Sequence, residues 1–508
     1  MAKEPQSLSF PACPAPFNIA AHVLKEAERL ADKVALVVLK PSGAQRWSYA
    51  KLRSAILGTA TGLLRSGLTP GDRVLLRLGN TVEFPIAFLG AITAGLVPIP
   101  TSAQLTDPEI TSILKNVQPR LILRTAGVAC PDCGIPMIDG AGLTKMRSLP
   151  PATFDMGDPN RLAFIIFTSG TSGQARAVAH AHRSIWARGM MMEGWYGLRE
   201  TDRLMHAGAF NWSFTLGTGL MDPWTMGATA LVPAAGTSPA QLPLLIKRHD
   251  ATIFAAVPGV YRQMLAAGPM PDMPHLRHGL VAGEKLSDAL RANWRDQTGC
   301  DLHEAFGMSE CSTFVSGSPS SPALAGTLGR PQPGRRIAIV GEDGPLPHRS
   351  QGILAVHKDD PGLMLKYLNA PQDTEARFAG DWFLTGDLGQ MDDAGNITYL
   401  GRADDMMNAG GYRVSPLEVE TVLNDHPDIV QTAVTDIEVK QDTRVIMAFY
   451  TAPAPLSEPD LADFVSERLA RYKQPRGFVH VKSLPTSANG KLLRRALQPI
   501  YEDLHGQS

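Results

Sequence analysis

The stretch LAFIIFTSGTSGQARAVAHAH, residues 162–182, decides how the chain is read. Six apolar residues run directly into a loop of Ser, Thr and Gly. The apolar run has the length and composition of a buried strand. Gly170 and Gly173 let backbone N–H groups approach an anion, and Thr168, Ser169, Thr171 and Ser172 add hydroxyl donors. Arg176 adds a charge and a bidentate fork. A flexible Ser/Gly linker has a similar composition, but linkers do not usually sit directly behind such a strand. The segment therefore reads as a loop for holding phosphate. Yet the chain contains no G-x-x-x-x-G-K-[ST] motif, so this is not a Walker A loop and the catalytic cation must come from elsewhere.

Working outward, VALVVL (34–39) and RVLLRL (73–78) read as strands, with helical patterns such as LRSAILGTATGLLRSG (52–67) between and after them. Residues 18–31 place Ile19, Val23, Ala27 and Leu30 on one face of a core-facing helix. FPIAFLGAITAGLVPIP (84–100) is too short and interrupted for a membrane span, and reads as a buried helix running into a buried strand. This alternation continues to about residue 300 and predicts an α/β fold with doubly wound, largely parallel sheets. After about residue 315 the pieces become short and β-rich (RRIAIV, GILAVH, ITYLG), which predicts a β-barrel-like subdomain. GRADDMMNAGGY (401–412) then separates a small α+β unit. That unit has a helix near 416–425, strands QTAVTD and RVIMAFY, and a helix from Ser457 that opens on a capping box, S-E-P-D, with Leu461, Phe464, Val465 and Leu469 at helical spacing. The domains are thus expected at 1–403 and 404–508, hinged near Asp404.

Composition narrows the function. Of 508 residues, 44% are apolar and 19% charged, the profile of an ordinary globular protein. The net charge of −1, with no basic block, implies no nucleic-acid partner. MAKEPQSLSF lacks the apolar core of a signal peptide. Five scattered cysteines point to a reducing, cytoplasmic compartment. Cys130 and Cys133 lack two further ligands nearby for a zinc site, and the His180/His182 pair is explained equally well by a strand or loop.

Further along, EAFGMSE (304–310) presents Glu310, WFLTGDLG (382–389) presents Asp387, GRADD (401–405) presents Arg402, and NGK (489–491) presents Lys491. Singly, each could be a solvated loop. Together with WSYAKLR, GDRVLL, TSGTSG, AGEKLS, GRPQPG and LPTSANGKLLRRAL, in order from about residue 18 to 497, they resemble the adenylate-forming enzymes. This superfamily comprises acyl- and aryl-CoA synthetases, peptide-synthetase adenylation domains and beetle luciferases. Two departures stand out: Ala175-Arg176-Ala177 replaces the usual Pro-Lys-Gly, and Ser309-Glu310 replaces Thr-Glu. Arg keeps the cation and Ser keeps the hydroxyl.

The resemblance implies roles. Thr168 to Arg176 would hold the β- and γ-phosphates of ATP. Gly283, Glu284 and Lys285, with Glu304, Ala305 and Phe306, would line the adenine pocket. Ser309 would contact the α-phosphate, Glu310 would ligate Mg²⁺, Asp387 would accept from the ribose hydroxyls and Arg402 would support the ribose. Gly410 and Gly411 would line the coenzyme A tunnel, Arg413 would contact phosphate, and Asp404 would be the hinge. Lys491 would be the missing catalytic cation, delivered by the second domain. A hinged lid would let one site serve two half-reactions.

The acyl pocket is expected from Phe210, Asn211, Trp212 and Thr215, the loop beginning at Val257, and Gly307 with Met308. GAFNWSFTLGTGLMDPW resembles benzoate-type and short-to-medium acyl-CoA ligases more than long-chain ones. The leading expectation is an ATP-dependent carboxylic acid–CoA ligase using ATP, Mg²⁺ and coenzyme A, with no membrane span; a homodimer is left open. The alternatives are a free-standing adenylation enzyme that loads an acyl or aryl group onto a carrier protein, and a non-catalytic nucleotide-binding protein.

Overall fold

Strand Leu162–Phe167 does not feed a helix, as the phosphate loops of parallel sheets do. It pairs antiparallel with Ala177–Ala181, which pairs in turn with the short strand Lys366–Tyr367. The Ser/Gly loop therefore closes a hairpin, and its base is pinned by the Thr168 N–H donating to the Arg176 carbonyl at 3.0 Å. The structure is a computed structural model that describes residues 11–40, 43–168, 176–409, 412–440, 443–486 and 492–505. Ser169, Gly170, Thr171, Ser172, Gly173, Gly410, Gly411 and Lys491 lie outside the described residues, and of Arg413 only the backbone is described.

Around this hairpin stand the sheets that the alternating pattern predicts. A nine-stranded sheet runs in the order 330–331, 312–316, 301–308, 278–282, 253–256, 203–206, 229–233, 34–40, 43–48. Its six central strands are parallel and its edges antiparallel. A four-stranded parallel sheet orders 97–100, 73–77, 121–124 and 137–139. The central strands, such as Thr229–Pro233 and His278–Ala282, are buried along their whole length, as parallel strands covered on both faces must be. Helix Glu83–Thr93 running into strand Val97–Pro100 is buried throughout after Glu83, apart from the intermediate Gly95 at the junction.

The β-rich region forms a six-stranded antiparallel sheet whose longest member, Trp382–Met391, pairs with Gln351–His357, Phe378–Ala379 and Ile397–Arg402. Beyond it lies the smaller C-terminal domain. Strands Gln431–Lys440 and Thr443–Thr451 form a hairpin, and Gly477–His480 joins it in parallel. Helices Pro416–Asn424, Glu458–Ser466 and Leu497–His505 accompany them. Two hydrophobic clusters there are built entirely from residues after Asp404.

Two local readings need correction. Asn18 caps the first helix by accepting from the N–H groups of Ala20 and Ala21, but the regular helix spans only Ile19–Val23. Its predicted apolar face persists, with Val23 and Ala27 buried and Leu30 packed on the core, yet the chain after Leu24 continues in turns closed by shorter bonds such as Ala27 N–H to Leu24 carbonyl. Ser457 does sit at the N-cap of Glu458–Ser466, but its side chain makes no capping bond. Closed capping boxes occur instead at Thr106 with Glu109 and at Ser238 with Gln241.

Candidate active site

Because Tyr367 pairs with Val178, its side chain is placed beside the base of the loop hairpin. Its ring lies 5.1 Å from the Arg176 guanidinium carbon, a cation–π contact, and Arg176 Nε is 3.1 Å from Asp373 on the following helix. The Tyr367 hydroxyl donates to Glu310 Oε1 at 2.7 Å. Tyr367 thus joins the cation of the phosphate loop to the carboxylate assigned to the metal.

Glu310 sits in the turn between strands Asp301–Met308 and Ser312–Ser316. The turn is tight. A side chain at Gly307 would come within 2.2 Å of the Ser312 carbonyl, and Ser312 itself adopts the left-handed φ of 63°. Gly307 is therefore required by the turn. The Met364 N–H donates to the Glu310 carbonyl at 2.7 Å, and His180 Nε2 donates to the Ser309 carbonyl at 2.8 Å. Arg176 is thus brought together with Ser309 and Glu310, which are far from it in sequence.

Four residues before Glu310, Phe306 packs against Tyr399 at 5.3 Å between ring centres. The Tyr399 hydroxyl donates to Asp387 Oδ1 at 3.1 Å. Asp387 and Arg402 are cross-strand partners, with Arg402 Nη1 at 3.4 Å from Oδ2. Burial pushes the Asp387 carboxyl up from its ordinary range, and the Arg402 charge opposes that. Arg402 Nε also donates to Asp404 at 3.0 Å, so one guanidinium links the buried carboxylate to the short helix Ala403–Asp405 that follows the strand.

Gly283 has φ of +96°, and a Cβ there would meet the Trp212 ring at 2.8 Å and Val257 at 3.5 Å. The structure thus places Trp212 and Val257, read as acyl-side residues, directly on Gly283, read as adenine-side. Glu284 lies 3.7 Å from Arg262. Lys285 continues the same loop. The other expected pocket residues differ in burial. Phe210 is 1% exposed and packs on Phe84 at 5.2 Å, in the core. Its neighbour Asn211 is half-buried, Thr215 is buried, and Met308 is half-buried against the cluster of the β-rich region. Ala305 is buried opposite Ala282.

Glu304 is buried beneath the 283–287 loop and accepts the Leu286 N–H at 2.9 Å. Burial pushes its carboxyl up to about 7 from 4.5. Its folded value lies above its unfolded one, so the stability it contributes is fully present below about pH 4.5 and is lost as pH rises through about 7. We expect Glu304→Gln to flatten the decline in Tm between about pH 5 and about pH 8. An unchanged decline would mean that other groups carry it.

The donor set fits a magnesium ion shared with phosphates. Among the described residues no group of three or more His, Cys, Asp or Glu could cage a metal. Mg²⁺ commonly takes one or two carboxylates and completes its shell with water and substrate phosphates. Glu310, buried, with Oε1 held by Tyr367, would supply that carboxylate. The ion when bound neutralises phosphate charge. Cys130 and Cys133 are free and pack beside a core cluster.

Tyr367, Asp373 and Tyr399 escaped the sequence reading, and His180 was read there only as part of a strand or loop. The aromatic in LMLKYLN does not name a partner.

Comparisons with known proteins agree across the chain. Two family models match: AMP-binding enzyme over residues 23–368, and AMP-binding enzyme C-terminal domain over residues 418–491. A benzoate–CoA ligase of Thauera aromatica is 30% identical over 495 residues, covering 91% of this chain and 92% of that protein. The mitochondrial acyl-coenzyme A synthetase ACSM2A of Homo sapiens is 29% identical, covering 97% and 92%. The crystal structure of a benzoate CoA ligase from Burkholderia xenovorans LB400 superposes with a TM-score of 0.85 at 27% identity, covering 95% of this chain and all of that one.

Proposed function

The chain belongs to the AMP-binding enzyme family, and from that premise we infer that it is an ATP-dependent carboxylic acid–CoA ligase acting on a small aromatic or short-to-medium-chain acid. One observation supports the reading above others. A single strand and its turn, residues 301–310, carry both the Phe306–Tyr399–Asp387 group and the Glu310–Tyr367–Arg176 group. The first suits a nucleoside and the second its phosphates and metal.

In the first half-reaction a carboxylate oxygen attacks the α-phosphorus of ATP. The bond to the β-phosphate oxygen breaks and pyrophosphate leaves. Arg176 and Ser309 would neutralise and orient the phosphates. In the second, the thiol sulfur of coenzyme A attacks the acyl carbonyl, AMP leaves, and the thiol proton passes to solvent. Asp404, bonded to Arg402 and followed by residues with their own cores, is the proposed hinge, with domains 1–403 and 404–508. No helix among the described residues is long and apolar enough to cross a membrane, and all five cysteines are free, which fits a reducing compartment such as the cytoplasm.

The test is acid-dependent AMP release with coenzyme A, run beside a phosphopantetheinyl carrier protein. Thioester on the carrier and none on coenzyme A would overturn the ligase reading. Within the same assay, Asp387→Ala is expected to weaken ATP about 10- to 100-fold, because a charge-assisted hydrogen bond is worth roughly 1.5–3 kcal/mol. An unchanged ATP KM would remove Asp387 from the nucleotide site.

A further inference from the structure

Beside Ser309 the N-terminal domain has a partly open cavity of about 30 Å³. Phe164, Ile166, Leu216 and Met221 form its apolar sides, and His180 and Arg188 reach it from two neighbouring elements. A space of this size holds one water or one hydroxyl, not an aromatic ring or a chain. It is therefore too small to be the whole pocket for an acid.

Its polar groups are unevenly satisfied. His180 is 4% exposed, and its ring stacks on Phe164 at 4.9 Å. Nε2 lies 2.8 Å from the Ser309 carbonyl, which can only accept, so Nε2 carries the proton. Burial pushes the ring's pKa down to about 4, so it is neutral near pH 7 and Nδ1 is a bare acceptor. No partner reaches Nδ1. Arg188 Nε and Nη2 are engaged by Asp222, Tyr196 and Thr218. Its Nη1 donates to Ser312 Oγ, which uses one of two N–H bonds. The cavity thus offers an unmet acceptor and a guanidinium with a donor to spare. A buried acceptor left unmatched is costly, and water or a ligand hydroxyl relieves it.

We propose that this cavity is a polar subsite of the acid pocket that selects hydroxylated small acids, the substrate O–H donating to His180 Nδ1 while its oxygen accepts from Arg188. The inference rests on the ligase reading and names its substrate class. An acid without the hydroxyl leaves His180 Nδ1 unpaired in the complex, and sites built to bond a hydroxyl discriminate strongly against analogues that lack it.

The test measures kcat/KM by coenzyme A-dependent AMP release for matched pairs: benzoate against its three monohydroxy isomers, and hexanoate against its hydroxy derivatives. For at least one pair the hydroxylated acid should be favoured about tenfold or more. His180→Leu should bring that ratio close to one, whatever happens to the absolute rates. Ser184→Val, which lines the same cavity and leaves the His180–Ser309 bond in place, should lower the ratio as well. A wild-type ratio near or below one for every pair would mean that the cavity holds only an internal water, and would overturn the subsite alone. So would variants that slow both members of a pair equally, the signature of a structural histidine. No turnover of any acid would overturn the ligase reading, and the subsite with it.

Discussion

Lys491→Ala is expected to lower acid-dependent pyrophosphate exchange about a hundredfold or more, while still converting a synthetic acyl-adenylate and coenzyme A to the thioester. The reason is where charge accumulates. In adenylation a carboxylate meets a triphosphate, and every nearby cation lowers the barrier. The described residues supply Arg176, but Asp373 and the Tyr367 ring already hold its guanidinium, and Arg402 is held by Asp387 and Asp404. A further cation is needed, and the resemblance assigns it to Lys491 on the second domain. Thr486 and Leu492, on either side of it in sequence, form an isolated antiparallel bridge. In the thioester step no phosphate–carboxylate repulsion remains to be neutralised, so the lysine matters little. Equal losses in both half-reactions would eliminate the two-conformation scheme.

Asp222→Asn is expected to destabilise the N-terminal domain by about 3–5 kcal/mol, read as a shift in its urea unfolding midpoint. Arg188 and Asp222 form a bidentate pair, with Nε–Oδ1 at 2.8 Å and Nη2–Oδ2 at 2.6 Å. Their side chains are only 8% and 1% exposed, and the Tyr196 hydroxyl also donates to Oδ2 at 2.7 Å. Asparagine retains the shape but leaves the guanidinium charge buried without a counter-charge. Replacing both partners, Arg188→Met with Asp222→Leu, should recover a large part of the loss, because paired apolar substitution removes the stranded charge. A single variant that loses less than about 1 kcal/mol would show that solvent reaches the pair.

These two predictions differ in how much of their basis can be read from the sequence. Lys491, Asp387 and Arg402 stand in contiguous motifs, so their types and order announce them. The parallel sheets were equally legible, since strands such as Val34–Lys40 are apolar almost throughout and are separated by helical spacing. The Arg188–Asp222 pair was not legible. Nothing in WARGMM or LMDPWT distinguishes a buried charge from a surface one, and only tertiary packing brings the helices together. Tyr367 was hidden for a related reason. Its strand is two residues long, without periodicity, and its partner Glu310 lies 57 residues away. Phe210 was over-read because an aromatic beside a functional motif has the same composition whether it lines a pocket or fills the core.

The pairing of Asp387 with Arg402 also constrains how such chains can be recombined. Arg402 lies at the end of the N-terminal sheet, yet it faces Asp387 on one side and Asp404 on the other. A chimera spliced upstream of Arg402 would install a foreign guanidinium against a native carboxylate and separate two halves of a co-adapted pair. A splice just after Asp404 keeps that pair intact and exchanges only residues whose hydrophobic clusters are their own. The seam proposed for domain exchange therefore falls two residues after the last strand of the sheet, which ends at Arg402.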